Sequence, residues 1–181
     1  MSLSRPVIRL RPKTDPRRVR RGFPWVYVNE LVTDRRTRAL EPGSIATLED
    51  GDRRPLATVA VNPNSKIFAR VLDRDAEAVV DRDWLSARIS AALELRELFY
   101  DSPYYRLVHA EADGMPGTVI DRFGDHAVLH PNAAWSDVLI DEIAAILEEQ
   151  VGVTTVVKNG SGRARGLEGL DDQTVVLRGA L

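Results

Sequence analysis

No cysteine occurs anywhere in the 181 residues. Disulfide bridges, cysteine-ligated metal sites and a thiolate nucleophile are therefore excluded from this chain. Also missing is any apolar run near the roughly 20 residues that a membrane-spanning helix needs. The N-terminus, MSLSRPVIRLRPK, is polar and arginine-rich without the apolar core of a secretory signal, so cytoplasm is the expected compartment. No internal repeat or low-complexity tract interrupts the chain. His126 and His130 have no convincing serine or cysteine partner, so a hydrolase-type triad is not supported.

What is present is an ordinary globular composition, 44% hydrophobic and 29% charged, long enough for one domain or two small ones. The net charge of −2 conceals a separation. Residues 1–38 hold 11 Lys/Arg against 3 Asp/Glu, a balance of +8; residues 39–181 hold 14 against 24, a balance of −10. A basic segment on an otherwise acidic chain suggests a local polyanion site, with a solvated basic tail as the alternative. Pro24, Trp25, Val26 and Tyr27 interleave the charge with folding residues and favour the site.

Periodicity and turn residues predict an α+β chain of two units, 1–75 and 76–181, joined where acidic residues cluster at Asp73–Asp83. In the first unit, Pro6–Leu10, Ser44–Leu48, Pro55–Val61 and Lys66–Leu72 read as strands of a small β-barrel, with a helical turn over Arg17–Arg21 started by Pro16. Strand alternation over Lys66–Leu72 puts Lys66, Phe68, Arg70 and Leu72 on one side. In the second unit, residues 83–101 read as a helix with Asp83 as N-cap. Its expected apolar stripe is Trp84, Ala87, Ala91, Leu95, Leu98 and Phe99, with Arg88, Glu94 and Glu97 facing away. Trp135–Gln150 predicts a second helix whose core stripe is Trp135, Leu139, Ile143, Ile146 and Leu147. Val153–Lys158 and Thr174–Arg178 read as strands flanking a glycine-rich loop.

Between the two helices, Tyr104–Ala110, Thr118–Phe123 and His126–His130 predict a three-strand meander. Its first connection, Asp113-Gly114-Met115-Pro116-Gly117, offers two glycines for positive φ around a proline; its second, Gly124-Asp125, is a two-residue hairpin turn.

This stretch also carries a resemblance. Glu111-Ala112-Asp113-Gly114-Met115-Pro116-Gly117, followed by Ile120-Asp121-Arg122-Phe123-Gly124, resembles the E-x-D-G-x-P-G…D-R-[FY]-G signature of the bacterial S-adenosylmethionine-dependent 23S rRNA cytosine-C5 methyltransferases. Arg20-Arg21-Gly22-Phe23-Pro24-Trp25-Val26-Tyr27 is similar to the R-R-x-P-W-[VI]-[FY] opening of that family's PUA domain, with one extra residue before the proline. Asn62-Pro63-Asn64-Ser65-Lys66-Ile67-Phe68-Ala69-Arg70-Val71 is similar to the segment that closes it. The resemblance implies a PUA-like β-barrel followed by a small α/β sandwich. It covers nearly the whole chain, and the family's catalytic domain has no counterpart in it.

Methylating cytosine at C5 requires a nucleophile to add at C6, and enzymes of that kind use a cysteine thiolate. In the resembling family that cysteine lies in the C-terminal domain. The expectation is therefore an RNA-binding N-terminal portion with no catalytic residue, cofactor site or metal site of its own; S-adenosylmethionine belongs to the implied full-length enzyme. The strand-like end at Val175–Leu181 suggests truncation. Expected partners are ribosomal RNA and the missing methyltransferase domain, with a homodimer left open and no membrane. Arginines bind phosphates and stack on bases, which makes Arg17, Arg18, Arg20 and Arg21 the candidate RNA contacts, joined by Lys66 and Arg70 if the barrel closes as the resemblance implies. Trp25 and Tyr27 could stack on unpaired bases, although a core position for Trp25 is favoured.

Two other readings stay open. A free-standing RNA-binding adaptor would have the same surface without an enzyme. A small metalloenzyme would use His109, Glu111 and Asp113, which alternate along a strand and could hold a divalent ion, although a turn-capping role for Asp113 is favoured. The loop Gly160–Gly166 lacks the spacing of a nucleotide loop and no helix pattern follows it; a mobile loop with Arg163 and Arg165 reaching RNA or the missing domain is the alternative.

Overall fold

Short strands with one buried face close on themselves when their edges can be joined, and the first unit does this around an apolar interior. The computed structural model describes residues 5–180; Leu181, the last residue of the strand-like end, lies outside them. The chain divides between Val79 and Val80. The first unit contains β1 (Val7–Arg9), α1 (Arg17–Arg20), β2 (Trp25–Val26), α2 (Arg35–Arg38), β3 (Ile45–Glu49), β4 (Pro55–Val61) and β5 (Ala69–Asp73). Strand order is β1-β3-β4-β5-β2, with β1 parallel to β3 and the other pairs antiparallel. The two edges meet through the segment after β2: Glu30 O accepts from Arg11 N at 2.9 Å, and Val32 N donates to Arg9 O at 2.9 Å. Ile8, Leu10, Val26, Leu31, Leu48, Val59, Val61 and Phe68 fill the interior. From α1 only Val19 joins them, so its arginines stay outside.

The expected strand at Lys66–Leu72 begins later, at Ala69. Asn62 explains the delay: its side chain accepts from Asn64 N at 3.0 Å and its carbonyl from Ser65 N at 3.1 Å, and Ser65 Oγ accepts from Ile67 N at 3.2 Å. Side chains capping their own backbone win over the ladder. Lys66 is therefore exposed on this turn while Arg70, on the strand, is buried.

The second unit contains α3 (Arg82–Glu97), β6 (Tyr104–His109), β7 (Thr118–Phe123), β8 (His126–Pro131), α4 (Ala134–Val138), α5 (Ile140–Ile146), β9 (Thr155–Lys158), α6 (Arg163–Glu168) and β10 (Val175–Arg178). Its sheet runs β10-β9-β8-β7-β6; β8 and β9 are parallel, connected through α4 and α5. The expected meander is β6, β7 and β8. Gly114 and Gly117 take φ of 69° and 76°, as the first connection requires, and Gly124 takes 66° in the hairpin turn.

Both helices depart from expectation. Asp81, not Asp83, caps α3, accepting from Trp84 N at 3.0 Å, and the helix ends at Glu97. Its buried face is Trp84, Leu85, Ile89 and Ala92; Ala87, Ala91, Leu95, Leu98 and Phe99 are exposed. Two apolar stripes coexist on this helix, and the one built on Leu85 and Ile89 is covered by the layer of β6 and α5 against which the helix packs. The second helix is broken at Leu139 (φ −94°, ψ 17°) and finishes in a wide turn over Leu147–Val151. Trp135, Ile143, Ile146 and Leu147 of its expected stripe are buried.

Trp135 ties the helical layer to the meander. Its indole Nε1–H donates to Pro116 O at 2.8 Å in a buried site, and its ring meets Trp84 edge-on at 6.0 Å. Replacing Trp135 by Phe leaves that carbonyl buried without its donor and is expected to destabilise the second unit by about 1–3 kcal/mol in urea unfolding. His130 gives a pH dependence. Burial holds its pKa below the ordinary histidine value, against the opposing pull of Asp121. The fold thus prefers neutral His130, so its contribution is complete above the ordinary pKa and is lost as pH falls. Melting curves from pH 8 to about 5 should decline less steeply for His130→Asn than for the parent.

Candidate nucleic-acid interface

An arginine is useful to a polyanion when its guanidinium reaches solvent and its charge is not already neutralised. Pro16 occupies the cap of α1, and Val19 pins the turn into the interior, which leaves Arg17, Arg18 and Arg20 outward. Arg17 Nε meets Asp15 Oδ1 at 3.1 Å, and Arg18 Nη1 meets Glu30 Oε1 at 2.6 Å while lying 4.2 Å over the Phe23 ring. Arg20 reaches Asp50 at 3.4 Å. Arg21 is exposed, and its side chain makes no hydrogen bond or ion pair among the described residues. The Arg17–Asp15 pair is exposed and weak, while Glu30 and Asp50 are largely buried; in all three pairs the arginine end is open to solvent, so the carboxylates orient the arginines toward it. Hydrogen bonds from the Arg17 and Arg54 backbone N–H groups hold the Asp15 and Asp50 carboxyls below the usual range, so both stay ionised.

Lys66 is exposed, and Val28 N donates to its carbonyl at 3.2 Å, which places it beside the chain leaving β2. Arg70 sits opposite Trp25 across the β2–β5 ladder and is 9% exposed, so it serves the interior of the unit and not its surface. Trp25 is half-buried, with Phe23 edge-on at 6.2 Å, between the core and stacking roles considered for it.

Not anticipated from the sequence is a second arginine turn, α2. Asp34 caps it by accepting from Arg36 N and Thr37 N, both at 2.8 Å, while Thr37 Oγ1 accepts from Asp34 N. Arg35, Arg36 and Arg38 are exposed and their guanidinium groups make no hydrogen bond or ion pair among the described residues. The signal was the Asp34-x-x-Thr37 capping box inside the +8 segment, where a short arginine-rich turn lacks any apolar residue to announce a helix.

In the second unit the expected metal trio does not assemble. The strand stops at His109, and Ala110–Asp113 form a helical turn with Ala110 at φ 47°, so the three side chains do not alternate on one face. Asp113 instead receives Arg96 through both guanidinium nitrogens, at 3.1 and 2.5 Å, and His109 N at 2.6 Å. No group of three His, Asp or Glu able to hold a metal is present among the described residues.

The loop after β9 is also different from expectation. Residues 163–168 form α6, and Arg165, instead of reaching outward, is 1% exposed; it donates to Pro131 O at 2.5 Å, Asp137 Oδ1 at 2.9 Å and Asp171 O at 2.7 Å. Gly160 packs so tightly that a Cβ would overlap the Gln173 carbonyl. A six-residue helix behind a packed glycine does not fit a nucleotide cradle, and no step of methyl transfer is assigned to these residues.

Comparison with known proteins agrees with this architecture. Residues 8–74 match the model of the PUA-like domain. They form a PUA-like domain. The chain is 34% identical over 185 residues to a ribosomal RNA large subunit methyltransferase of Deinococcus radiodurans, covering 96% of this chain and 45% of that protein. It is 30% identical to ribosomal RNA large subunit methyltransferase I of Aliivibrio fischeri strain MJ11, over 89% of this chain and 41% of the relative. The chain thus spans less than half the length of these curated relatives. Among solved structures, a candidate SAM-dependent methyltransferase from Streptococcus mutans superposes with a TM-score of 0.76 at 13% identity, over 97% of this chain and 44% of that one. A candidate methyltransferase solved with S-adenosylhomocysteine gives 0.69 at 14% identity, over 85% of this chain and 39% of that one. At those identities the likeness establishes the fold.

Asp113 and Arg96 are only 9% and 13% exposed, so removing one charge strands the other. Asp113→Asn is expected to cost about 3–5 kcal/mol of stability in chemical unfolding. A loss of bound metal with unchanged stability would instead restore the metal reading.

Proposed function

We propose that this chain is the RNA-engaging portion of an S-adenosylmethionine-dependent rRNA methyltransferase acting on cytosine C5. The observation that carries the reading is an outward arginine turn on a PUA-like unit, in a chain similar along its length to ribosomal RNA large subunit methyltransferases. Arg17, Arg18, Arg20 and Arg21, together with Lys66, hold the phosphates of a structured rRNA segment; the pairs to Asp15, Glu30 and Asp50 open as phosphates replace carboxylates. Such contacts position RNA without reading its sequence. The chain contains no cysteine, so the thiolate nucleophile belongs to a domain outside these residues; in this reading that domain also holds the cofactor, and the role of this portion is to present the target to it. The second unit, with its bound-up Arg165 and acidic balance, supports that presentation as a scaffold.

Substituting Arg17, Arg18, Arg20 and Arg21 together by Gln tests the assignment. The variant should melt near the parent, bind structured rRNA fragments more weakly and show a flatter log–log salt dependence, by roughly 0.7–0.9 for each phosphate no longer neutralised. Unchanged affinity with an unchanged slope would remove α1 from the interface.

A further inference from the structure

The first unit holds an open cleft of about 450 Å³ that the α1 surface does not include. It is lined by Arg5, Pro6, Val7, Arg9, Val32, Asp34, Arg36, Thr37 and Leu40. Its size falls within the roughly 300–1,000 Å³ common for small-ligand sites. Two properties set it apart. One wall is apolar and exposed, with Val7 and Val32 leaving 47% and 45% of their surface to solvent alongside Pro6 and Leu40. The rest is cationic, three arginines against one carboxylate.

The charges differ in availability. Arg9 is held by Glu49 Oε2 through two nitrogens, at 3.1 and 2.9 Å, and its charge is largely offset. Arg5 is fixed in place by Thr58 Oγ1 at 3.0 Å, Ala76 O at 3.2 Å and Ala78 O at 2.6 Å. All three are neutral acceptors, so Arg5 keeps its full charge at a fixed position. Arg36 has no ion-pair partner among the described residues. Asp34 is the opposing group, and its carboxylate is occupied by the backbone of α2, where the Thr37 N–H foremost holds its pKa below the usual value. An anion entering the cleft thus meets two guanidinium groups that make no ion pair among the described residues, Arg36 being attracted by Asp34 at longer range, beside an apolar wall.

We propose that this cleft is a subsite for one unpaired RNA nucleotide, its phosphate on Arg36 and Arg5 and its nucleoside against Pro6, Val7 and Val32. The proposal rests on the RNA-engaging reading above and extends it from phosphate contact to recognition of single-stranded character. A free phosphate would use the arginines and leave the apolar wall wet. A duplex would present phosphates while keeping its bases stacked away from that wall, because sequence-independent RNA helices offer mainly backbone. An unpaired residue satisfies both halves of the cleft at once. The aliphatic wall provides dispersion and desolvation without an aromatic plane, so no strong base preference is expected.

The test compares two probes, a short single-stranded RNA of mixed sequence and the duplex formed with its complement, by fluorescence anisotropy across a salt series. Arg36→Gln should weaken single-strand binding by roughly fivefold and flatten its salt slope by about 0.7. The double variant Val7→Asn, Val32→Asn changes two exposed positions and should melt like the parent. It should weaken single-strand binding by a similar factor with the slope unchanged, and leave duplex binding unaltered. Weaker binding at Arg36→Gln with none in the double asparagine variant would mark a plain phosphate contact and overturn the nucleotide assignment, as would equal weakening for both probes. If both cleft variants bind like the parent while the α1 quadruple variant is weakened, the subsite falls and the RNA-engaging reading stands. If the parent itself binds neither probe nor structured rRNA, both fall together.

Discussion

One carboxylate, that of Asp113, organises the second unit. It accepts the fork of Arg96 from α3 and the backbone N–H of His109 at the end of β6, in a site almost closed to water. A carboxylate there is tolerable because three donated hydrogen bonds, two of them charge-assisted, replace its water. The pairing sets where β6 stops, how the turn to Gly114 begins and which face of α3 is turned to the sheet. Arg88, earlier on α3, reaches the same connection: its Nε donates to Gly114 O at 3.1 Å while its guanidinium lies 3.6 Å over Trp84. Trp84 touches Trp135, and Trp135 returns to the same connection through Pro116 O.

The D-G-x-P-G stretch is therefore a folding device. Gly114 and Gly117 supply left-handed backbone, Met115 is buried, and Pro116 offers its carbonyl to an indole. Asp121 and Arg122 act likewise. Asp121 takes both Nε and Nη2 of Arg106 across the β6–β7 ladder, and Arg122 holds Gly124 O and the Tyr105 hydroxyl. The Asn62–Ser65 turn does similar service in the first unit. Residue patterns that identify a family need not mark its chemistry, because tight turns and buried ion pairs constrain residue type as strongly as binding does.

In the first unit, the display of arginines follows from what the small core leaves outside. A turn with one apolar residue, Val19, can only be held by that residue, and its arginines are displayed as a consequence. α2 has no apolar residue and is held by the Asp34–Thr37 capping box instead. Capping places arginines in solvent as effectively as burial of a neighbour does. The two turns differ in their acidic surroundings: α1 is balanced by ion pairs to Asp15, Glu30 and Asp50, whereas the guanidinium groups of α2 make no ion pair among the described residues and Arg36 feels Asp34 only at longer range.

Sequence alone determined what local chemistry controls: the charge separation, the meander and its positive-φ glycines, most of the strands, the α1 turn and the absence of a thiolate. Each depends on residues close in the chain. Tertiary structure decided what depends on distant partners. Two apolar stripes run along α3, and packing against β6 and α5 selected Leu85 and Ile89 over Ala91 and Leu95. Arg165, in a glycine-rich segment, reads as a solvent-reaching cation until Pro131, Asp137 and Asp171 converge on it from other parts of the fold. Arg70 and Lys66, four residues apart, separate into interior and surface because a side-chain-capped turn breaks the strand between them. The cleft joining Arg5 and Val7 to Val32 and Arg36 has no sequence signature, since it exists only where β1 meets the segment that closes the sheet.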